Sequence, residues 1–292
     1  YVGFIVINIE LLEIIIDGFL GTHRIFSLYL GTIYDVLIAT FEIFALLVIV
    51  AVSAFWIRRN IMRIQRFLKP EMIGWPKKDA DYILYIELVL MFLFLTMNAS
   101  DYWLQQHPDG HSYYTQAGHF PISGLITPFF DGMSYSTVVT IERTSWWLHI
   151  IGILAFLNYL YYSKHLHIIL AFPNTFYANL NPLGRFSHSE AVAKEVKLMM
   201  DPSADLYASP AGESEPISFG AADVKDLNRI QLMNAYSCTE CGRCTDVCPA
   251  NQTGKKLSPR KIMMDTRDRL EQVGKQLDRG LEVDNKTLLD HH

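Results

Sequence analysis

Little of this sequence is charged and very little of it is cysteine. Only 19% of its 292 residues are Asp, Glu, Lys or Arg, against 50% hydrophobic, and the mean hydropathy is +0.16. That balance excludes a disordered chain, which cannot carry so much apolar content. Four cysteines are too few for a disulfide framework at this length, and 17 glycines and 12 prolines exclude a collagen-like class. There is no excess of positive charge either: the net charge is -5 and the pI is near 6.1, so there is no footprint for nucleic acid. No internal repeat and no low-complexity tract occur. The chain opens at Tyr1 inside an apolar run, with no basic n-region or small-residue cleavage site before it, so the natural N-terminus is expected upstream.

What is there divides into two unlike parts. Residues 1–170 carry 10 Lys+Arg and 13 Asp+Glu, whereas the shorter stretch 171–292 carries 15 and 17. In the oily part, four runs are long enough to cross a hydrocarbon layer, which takes roughly 20 helical residues: about 1–20, 31–57, 82–104 and 146–170. The first carries Glu10, Glu13 and Asp17 at i, i+3 and i+7, one acidic stripe that should face protein or water and not lipid.

Lys and Arg close to spans are retained on the cytoplasmic side. The stretch 58–78 holds seven of them, whereas 105–143 holds only Arg143 and 21–30 only Arg24. This predicts 58–78 inside, the other two connections outside, and a fourth span returning to the cytoplasm. Trp56, Trp75, Trp103, Trp146 and Trp147 fall near predicted span ends, as interfacial anchors do. The apolar stretch 122–130 is too short to span and predicts a short interfacial or re-entrant helix. Residues 201–222 read as a flexible Pro/Ser/Ala/Gly linker. Helices are expected again from Asp223, a candidate N-cap, and from Ser258-Pro259. The expected organisation is an all-α, polytopic transmembrane bundle over 1–172, a cytoplasmic linker over 173–222, and an α-helical, ferredoxin-like iron-sulfur domain over 223–292 that is incomplete.

All four cysteines lie in one run, Cys238, Cys241, Cys244 and Cys248, followed by Pro249. This is the bacterial ferredoxin spacing, in which a short loop wraps a cubane and the proline turns the chain away. Zinc normally uses two separated knuckles and not four thiols within eleven residues, and a disulfide is disfavoured in a reducing cytoplasm. In two-cluster ferredoxins the fourth cysteine binds the other cluster. A second run is absent, so the chain is expected to continue past its C-terminus, with two alternatives: a partner's thiolate, or Cys248 closing a lone 4Fe-4S cluster.

His149 and His167 are 18 residues apart in the fourth run, about five helical turns and roughly 27 Å. One helix would then present a histidine near each membrane surface on one face, as two stacked b-type haems require. His165 would point some 160° away. His23, at the outer end of the first run, is the candidate partner for His149. The alternative is that SKHLH is an interfacial anchor and His149 a satisfied bundle histidine. His107, His111 and His119 are expected to be solvated loop residues.

Three segments, YVGFIVINIELLEIIIDGFLGTHR, WWLHIIGILAFLNYLYYSKHLHIILAFPN and AYSCTECGRCTDVCPANQTGKKLSPRKI, together resemble membrane-bound iron-sulfur oxidoreductases of the heterodisulfide-reductase type. The membrane part is similar to the haem-b gamma subunit of respiratory nitrate reductase. The resemblance implies a second ferredoxin-like run and cysteine-rich CCG domains further on or in a cytoplasmic partner subunit. It also implies that Cys238, Cys241 and Cys244 bind one 4Fe-4S cluster and Cys248 the next, with His149 and His167 at haem positions.

The reading that results is a multi-pass electron-transfer subunit of a bacterial or archaeal cytoplasmic membrane. It is expected to contact lipid and to pass electrons between quinone, through haem b where present, and cytoplasmic clusters serving a redox partner. Glu10, Glu13 and Asp17 are candidates for the proton path that quinone chemistry needs, the alternative being that they only pair with neighbouring polar groups. The rival from another class is a transporter or membrane sensor with a regulatory cluster.

Overall fold

The computed structural model describes residues 2–110, 113–182, 184, 190–201 and 220–291, and among these the chain is all-helical, with no strand. It divides into two compact units, Tyr1–Ser163 and Lys164–His292. Most of the expected linker lies outside the described residues.

Four long helices build the first unit: α1 (Val2–Leu20), α2 (Thr32–Trp56), α3 (Trp75–Gln106) and α4 (Tyr135–Leu160). A π-helical turn, Ile57–Ile61, extends α2. Gly74, at φ 92, turns the chain into α3, whose N1/N2 proline needs no amide partner there. Ser134 caps α4, its Oγ accepting from the Thr137 N–H at 3.3 Å. The central helix is α3, packed against α2 and α4. Tyr34, Ile38, Phe41 and Ala45 of α2 meet Phe94, Leu95 and Met97 of α3 in one core, and Ala99 and Leu104 meet Val138 of α4 in a second.

This unit buries charged and amide side chains beside its apolar cores. Glu42, Asp79, Asn98, Asp101, Gln105 and Glu142 are all at most 3% exposed. By contrast Ile33, Val36, Leu47 and Val50 of α2 and Trp147, Ile151, Leu154 and Leu157 of α4 form outward apolar stripes, each residue half exposed or more. Polar groups inside and apolar groups outside is the arrangement that a hydrocarbon solvent favours.

Two helices, and not the four expected, are long and apolar enough to cross a membrane among the described residues: Thr32–Ile61 and Trp75–Gln106. The first expected span carries Glu10, Glu13 and Asp17 within its 19 helical residues. The fourth is interrupted. Tyr162 and Ser163 donate to the Tyr159 and Leu160 carbonyls at 3.0 and 3.1 Å, i to i+3 bonds that close α4 at Leu160. The chain makes a 3-10 turn over Lys164–Leu166 and restarts as an α-helix at His167, inside the second unit. The stretch expected near 122–130 forms two short turns, Ser123–Ile126 and Thr127–Phe130, and Ser123 and Phe130 are buried.

The second unit contains α5 (His167–Phe176), α6 (Glu190–Met200), α7 (Arg229–Tyr236) and α8 (Pro259–Asp278). Helix α7 packs on α8 and on α5. It begins one turn later than Asp223, at a reciprocal cap: Asn228 Oδ1 accepts from the Gln231 N–H and Gln231 Oε1 from the Asn228 N–H, both at 2.9 Å. Ser258 caps α8 as expected, accepting from the Lys261 N–H at 3.3 Å. Arg269 of α8, fully buried, ties the unit's ends together. Its fork donates to both oxygens of Asp223 at 2.9 Å, and it also reaches Asp284 and, at 2.6 Å, the Lys286 carbonyl.

Hydrogen bonding to Arg269 holds the Asp223 and Asp284 carboxyls below the ordinary carboxylate range. A depressed folded-state pKa contributes stability that is present above the ordinary carboxylate pKa and is lost as pH falls through the folded value. The second unit should therefore lose stability on acidification below about pH 4. In Arg269→Met, thermal melting at neutral pH should drop and this acid limb should flatten. An acid limb of unchanged steepness in the variant would contradict the assignment.

Candidate functional site

The cysteine loop leaves α7 at Tyr236 and reverses twice through left-handed backbone, at Glu240 (φ 56) and Gly242 (φ 75). Gly242 opens the short helix Arg243–Asp246, and Pro249 heads the turn Pro249–Gln252 that carries the chain away after Cys248. Thr245 anchors the loop to the start of α8: its Oγ1 lies 3.1 Å from Ser258 Oγ and accepts from the Arg260 N–H at 3.1 Å. The Glu240 N–H points at Cys238 Sγ, 3.4 Å away. All four cysteines are free thiols, Cys244 exposed and the others half-buried.

A donor set of thiols alone, in one tightly curved loop with a backbone N–H aimed at a sulfur, fits an iron-sulfur cluster. Among the described residues, no three His, Cys, Asp or Glu side chains are grouped closely enough to hold a single metal ion. Glu240, between Cys238 and Cys241, is 3% exposed. Its carboxylate pairs with Lys164 and accepts from Arg267 Nη1 at 2.8 Å.

The histidines are arranged differently from the expectation. His149 is on α4, whereas His167 opens α5 in the other unit, so no single unbroken α-helix carries both. The rings of His165 and His167 lie 5.6 Å apart, edge to face, and His167 Nδ1 bonds the Lys164 carbonyl at 2.9 Å. His149 is 5% exposed, and its Nδ1 is 3.0 Å from the Leu90 carbonyl, which makes Nδ1 the donor and leaves Nε2 as the ring's free lone pair. Gly152, one turn on, allows this approach of α4 to α3: a Cβ there would stand 2.7 Å from Leu90 Cδ2. His149 lines an apolar cavity of about 230 Å³ with Glu10, Phe41, Phe44 and Phe94. Among the described residues no second histidine lines that cavity. His23 is elsewhere, its Nε2 bonded to Asp101 Oδ1 at 2.9 Å and its buried Nδ1 without a partner. The described residues thus do not bring two histidines together as a bis-histidine haem pair would require. His107 stacks on Trp103 at 4.8 Å, His119 is exposed, and His111 lies outside the described residues.

The three acids have separate fates. Asp17 accepts from Thr22 Oγ1 at 2.6 Å and from the N–H groups of Arg24 and Ile25 at 2.8 and 3.1 Å. Glu13 accepts from the Phe26 N–H at 3.0 Å and from Tyr34 Oη at 2.9 Å. Both acids fold the turn after α1 onto itself. Glu10 has no hydrogen-bond partner among the described residues and lines two cavities. The second, about 160 Å³, is polar and is bordered by His23, Glu142, Arg143 and Trp146.

Between these acids lies a group that the sequence reading passed over. Arg24 is 9% exposed and at φ 54. Its Nε donates to Asp101 Oδ2 at 2.6 Å, its Nη1 to Tyr34 Oη at 3.2 Å and its Nη2 to Asn98 Oδ1 at 3.0 Å. Asn98 passes the network to Glu42, which accepts the N–H groups of Ile122 and Ser123 at 2.8 and 3.1 Å. The signal was in the sequence: Glu42 and Asp101 are isolated acids inside or beside apolar runs.

No family model matches the sequence, and no solved structure matches it. Among curated proteins, the chain is similar to a protein of Bacillus subtilis named probable iron-sulfur-binding oxidoreductase FadF. Identity is 28% over 274 residues, which is 94% of this chain and 34% of that protein. It is also similar to the EtfAB:quinone oxidoreductase of Syntrophomonas wolfei, 27% identical over 140 residues, 48% of this chain and 16% of the relative. The chain thus spans about a third of the length of the first and less of the second. Both relatives are named oxidoreductases.

Removing one partner of a buried ion pair strands the other and typically costs about 3–5 kcal/mol. Arg24→Met is expected to destabilise the first unit by that order, seen as an earlier thermal transition of the purified protein in detergent. A melting curve like that of the unsubstituted protein would show that Asp101 is satisfied without the guanidinium.

Proposed function

We propose that this chain is the membrane electron-transfer component of an iron-sulfur oxidoreductase of the heterodisulfide-reductase type, working between quinone and 4Fe-4S clusters. The observation that carries the reading is the run Cys238, Cys241, Cys244, Cys248 in a curved loop closed by Pro249. Cys238, Cys241 and Cys244 would hold three irons of one cubane and Cys248 an iron of a second. Such a cluster supplies reversible one-electron storage.

Three further observations support it. Both relatives bear oxidoreductase names, one iron-sulfur-binding and one quinone-linked. The outward apolar stripes of α2 and α4 and the interior acids suit a unit solvated by lipid. The seven Lys and Arg of 58–78 favour a cytoplasmic position for that connection in a bacterial or archaeal membrane. The cluster-bearing part, 223–292, would then be a ferredoxin-like domain on the cytoplasmic side. There it would exchange electrons with a cysteine-rich CCG-domain iron-sulfur subunit.

Quinone takes up two electrons and two protons to become quinol, so a one-electron carrier must deliver twice and a proton donor must reach the ring. Of the three acids on α1, Glu10 is the proton carrier in this reading, because Glu13 and Asp17 are committed as acceptors in the turn. His149 would be one ligand to a b-type haem, through Nε2. Among the described residues no second histidine lines its cavity, so the proposed route is written through the clusters.

The test is iron and acid-labile sulfide content with electron paramagnetic resonance of the reduced protein. Cys241→Ser should lose the cluster assigned to it while still inserting into membranes, and full iron in the variant would refute the ligand assignment. Glu10→Gln should keep all its iron and slow quinone-coupled turnover by tenfold or more, about 1.4 kcal/mol of barrier, whereas unchanged turnover would remove Glu10 from the path.

A further inference from the structure

Glu240 occupies a backbone conformation that glycine adopts without strain, and two residues later the sequence does use glycine, at Gly242. A side chain is therefore retained at position 240 against the preference of the backbone. That side chain is 2% exposed and makes two ion pairs. One is with Lys164, 9% exposed, at the start of the second unit. The other is with Arg267 of α8, 17% exposed, at 2.8 Å. Arg267 also pairs with Asp268 at 3.1 Å, but Asp268 is 58% exposed and its charge is largely screened by water. The Glu240 N–H meanwhile points at Cys238 Sγ.

Two half-buried cations thus converge on one buried carboxylate between the first two cysteines of the run. Both cationic charges are held in a partly desolvated place beside the loop. Reducing an iron-sulfur cluster adds one negative charge to a centre already carrying thiolates. Nearby positive charge stabilises the reduced state, and net charge and hydrogen bonds to sulfur are among the quantities that set such potentials. A lone glutamate there would have the opposite effect.

We propose that Glu240 is a positioning residue whose carboxylate fixes Lys164 and Arg267 beside the Cys238–Cys248 loop, and that these two cations raise the reduction potential of the cluster bound there. This rests on the reading of the cysteine run given above. It adds a tuning device that couples the first residue of the second unit and helix α8 to the redox centre.

The experiment is a potentiometric titration of the full chain with its clusters loaded, followed by electron paramagnetic resonance. Lys164→Met and Arg267→Met keep much of the side-chain stem and remove the charge. Each is expected to shift the midpoint to more negative potential by enough to change the reduced-to-oxidised ratio about tenfold at fixed ambient potential, about 59 mV for one electron. Lys164→Arg, which keeps the charge, should stay near the unsubstituted value. In a Glu240→Gln background, Lys164→Met should lose most of its effect, because the lysine is no longer held. Unmoved midpoints in both methionine variants, or a Lys164→Met shift that persists in full without Glu240, would overturn the proposal. Loss of iron from both methionine variants would also overturn it, since the cations would then serve assembly and not potential. Unsubstituted protein without iron or labile sulfide would overturn the reading of the cysteines themselves, an outcome distinct from loaded clusters with unmoved potentials.

Discussion

An arginine side chain cannot shed its charge inside an apolar bundle, and the first unit is organised around that constraint. Arg24 enters the interior at the turn after α1, and its surroundings are acceptors: Asp101 and Asn98 from α3, and the Tyr34 hydroxyl from α2. The acceptors need donors of their own. Tyr34 donates a hydrogen bond to Glu13, Asn98 donates to Glu42, and Glu42 accepts from the backbone N–H groups that start the short turn at Ser123. One buried charge thus links the three helices α1, α2 and α3 and the connection between α3 and α4. In a hydrocarbon solvent such a network is a stronger organiser than apolar packing, since the apolar faces of the helices gain little by leaving lipid for one another.

The second unit follows the same rule on a smaller scale. Here too, cations in ion pairs do the joining. Arg269 closes residues 223 to 286 into one body, while Arg267 and Lys164 converge on Glu240 in the cysteine loop. Residues 267 and 269 are close in α8 yet serve different partners, one facing the redox loop and the other the unit's closing strap. A thiol loop that must keep its shape through repeated charge changes is well served by anchors whose geometry is fixed by ion pairs and not by side-chain volume.

How much of this was legible in the sequence depends on the range of the interaction. The cysteine loop, the cap at Ser258 and the proline after Cys248 are local, and spacing alone carries them. The all-helical class and the two long apolar spans follow from periodicity and run length. The placement of His149 and His167 on one helix face was not legible, because it assumed an unbroken helix through Tyr161–Leu166. A run of aromatic and polar residues there closes α4 through i to i+3 bonds, a choice that window hydropathy does not register. The role of Glu13 and Asp17 was half legible: their shared stripe was visible, but their partners are backbone amides of a turn, which carry no residue-type signature. Arg24 and Glu240 were passed over because single charges in a sequence do not announce which distant charge they meet.

The central claim is that electrons move between the thiol-held clusters and quinone. It is tested most directly by following the reduced cluster's paramagnetic signal after adding a short-chain quinone to the dithionite-reduced protein, purified anaerobically, placed in liposomes and freed of excess reductant. The account predicts that the signal decays as quinol appears, two clusters oxidised for each quinol formed. A cluster that is fully loaded and reducible, yet keeps its signal in the presence of quinone, would contradict it.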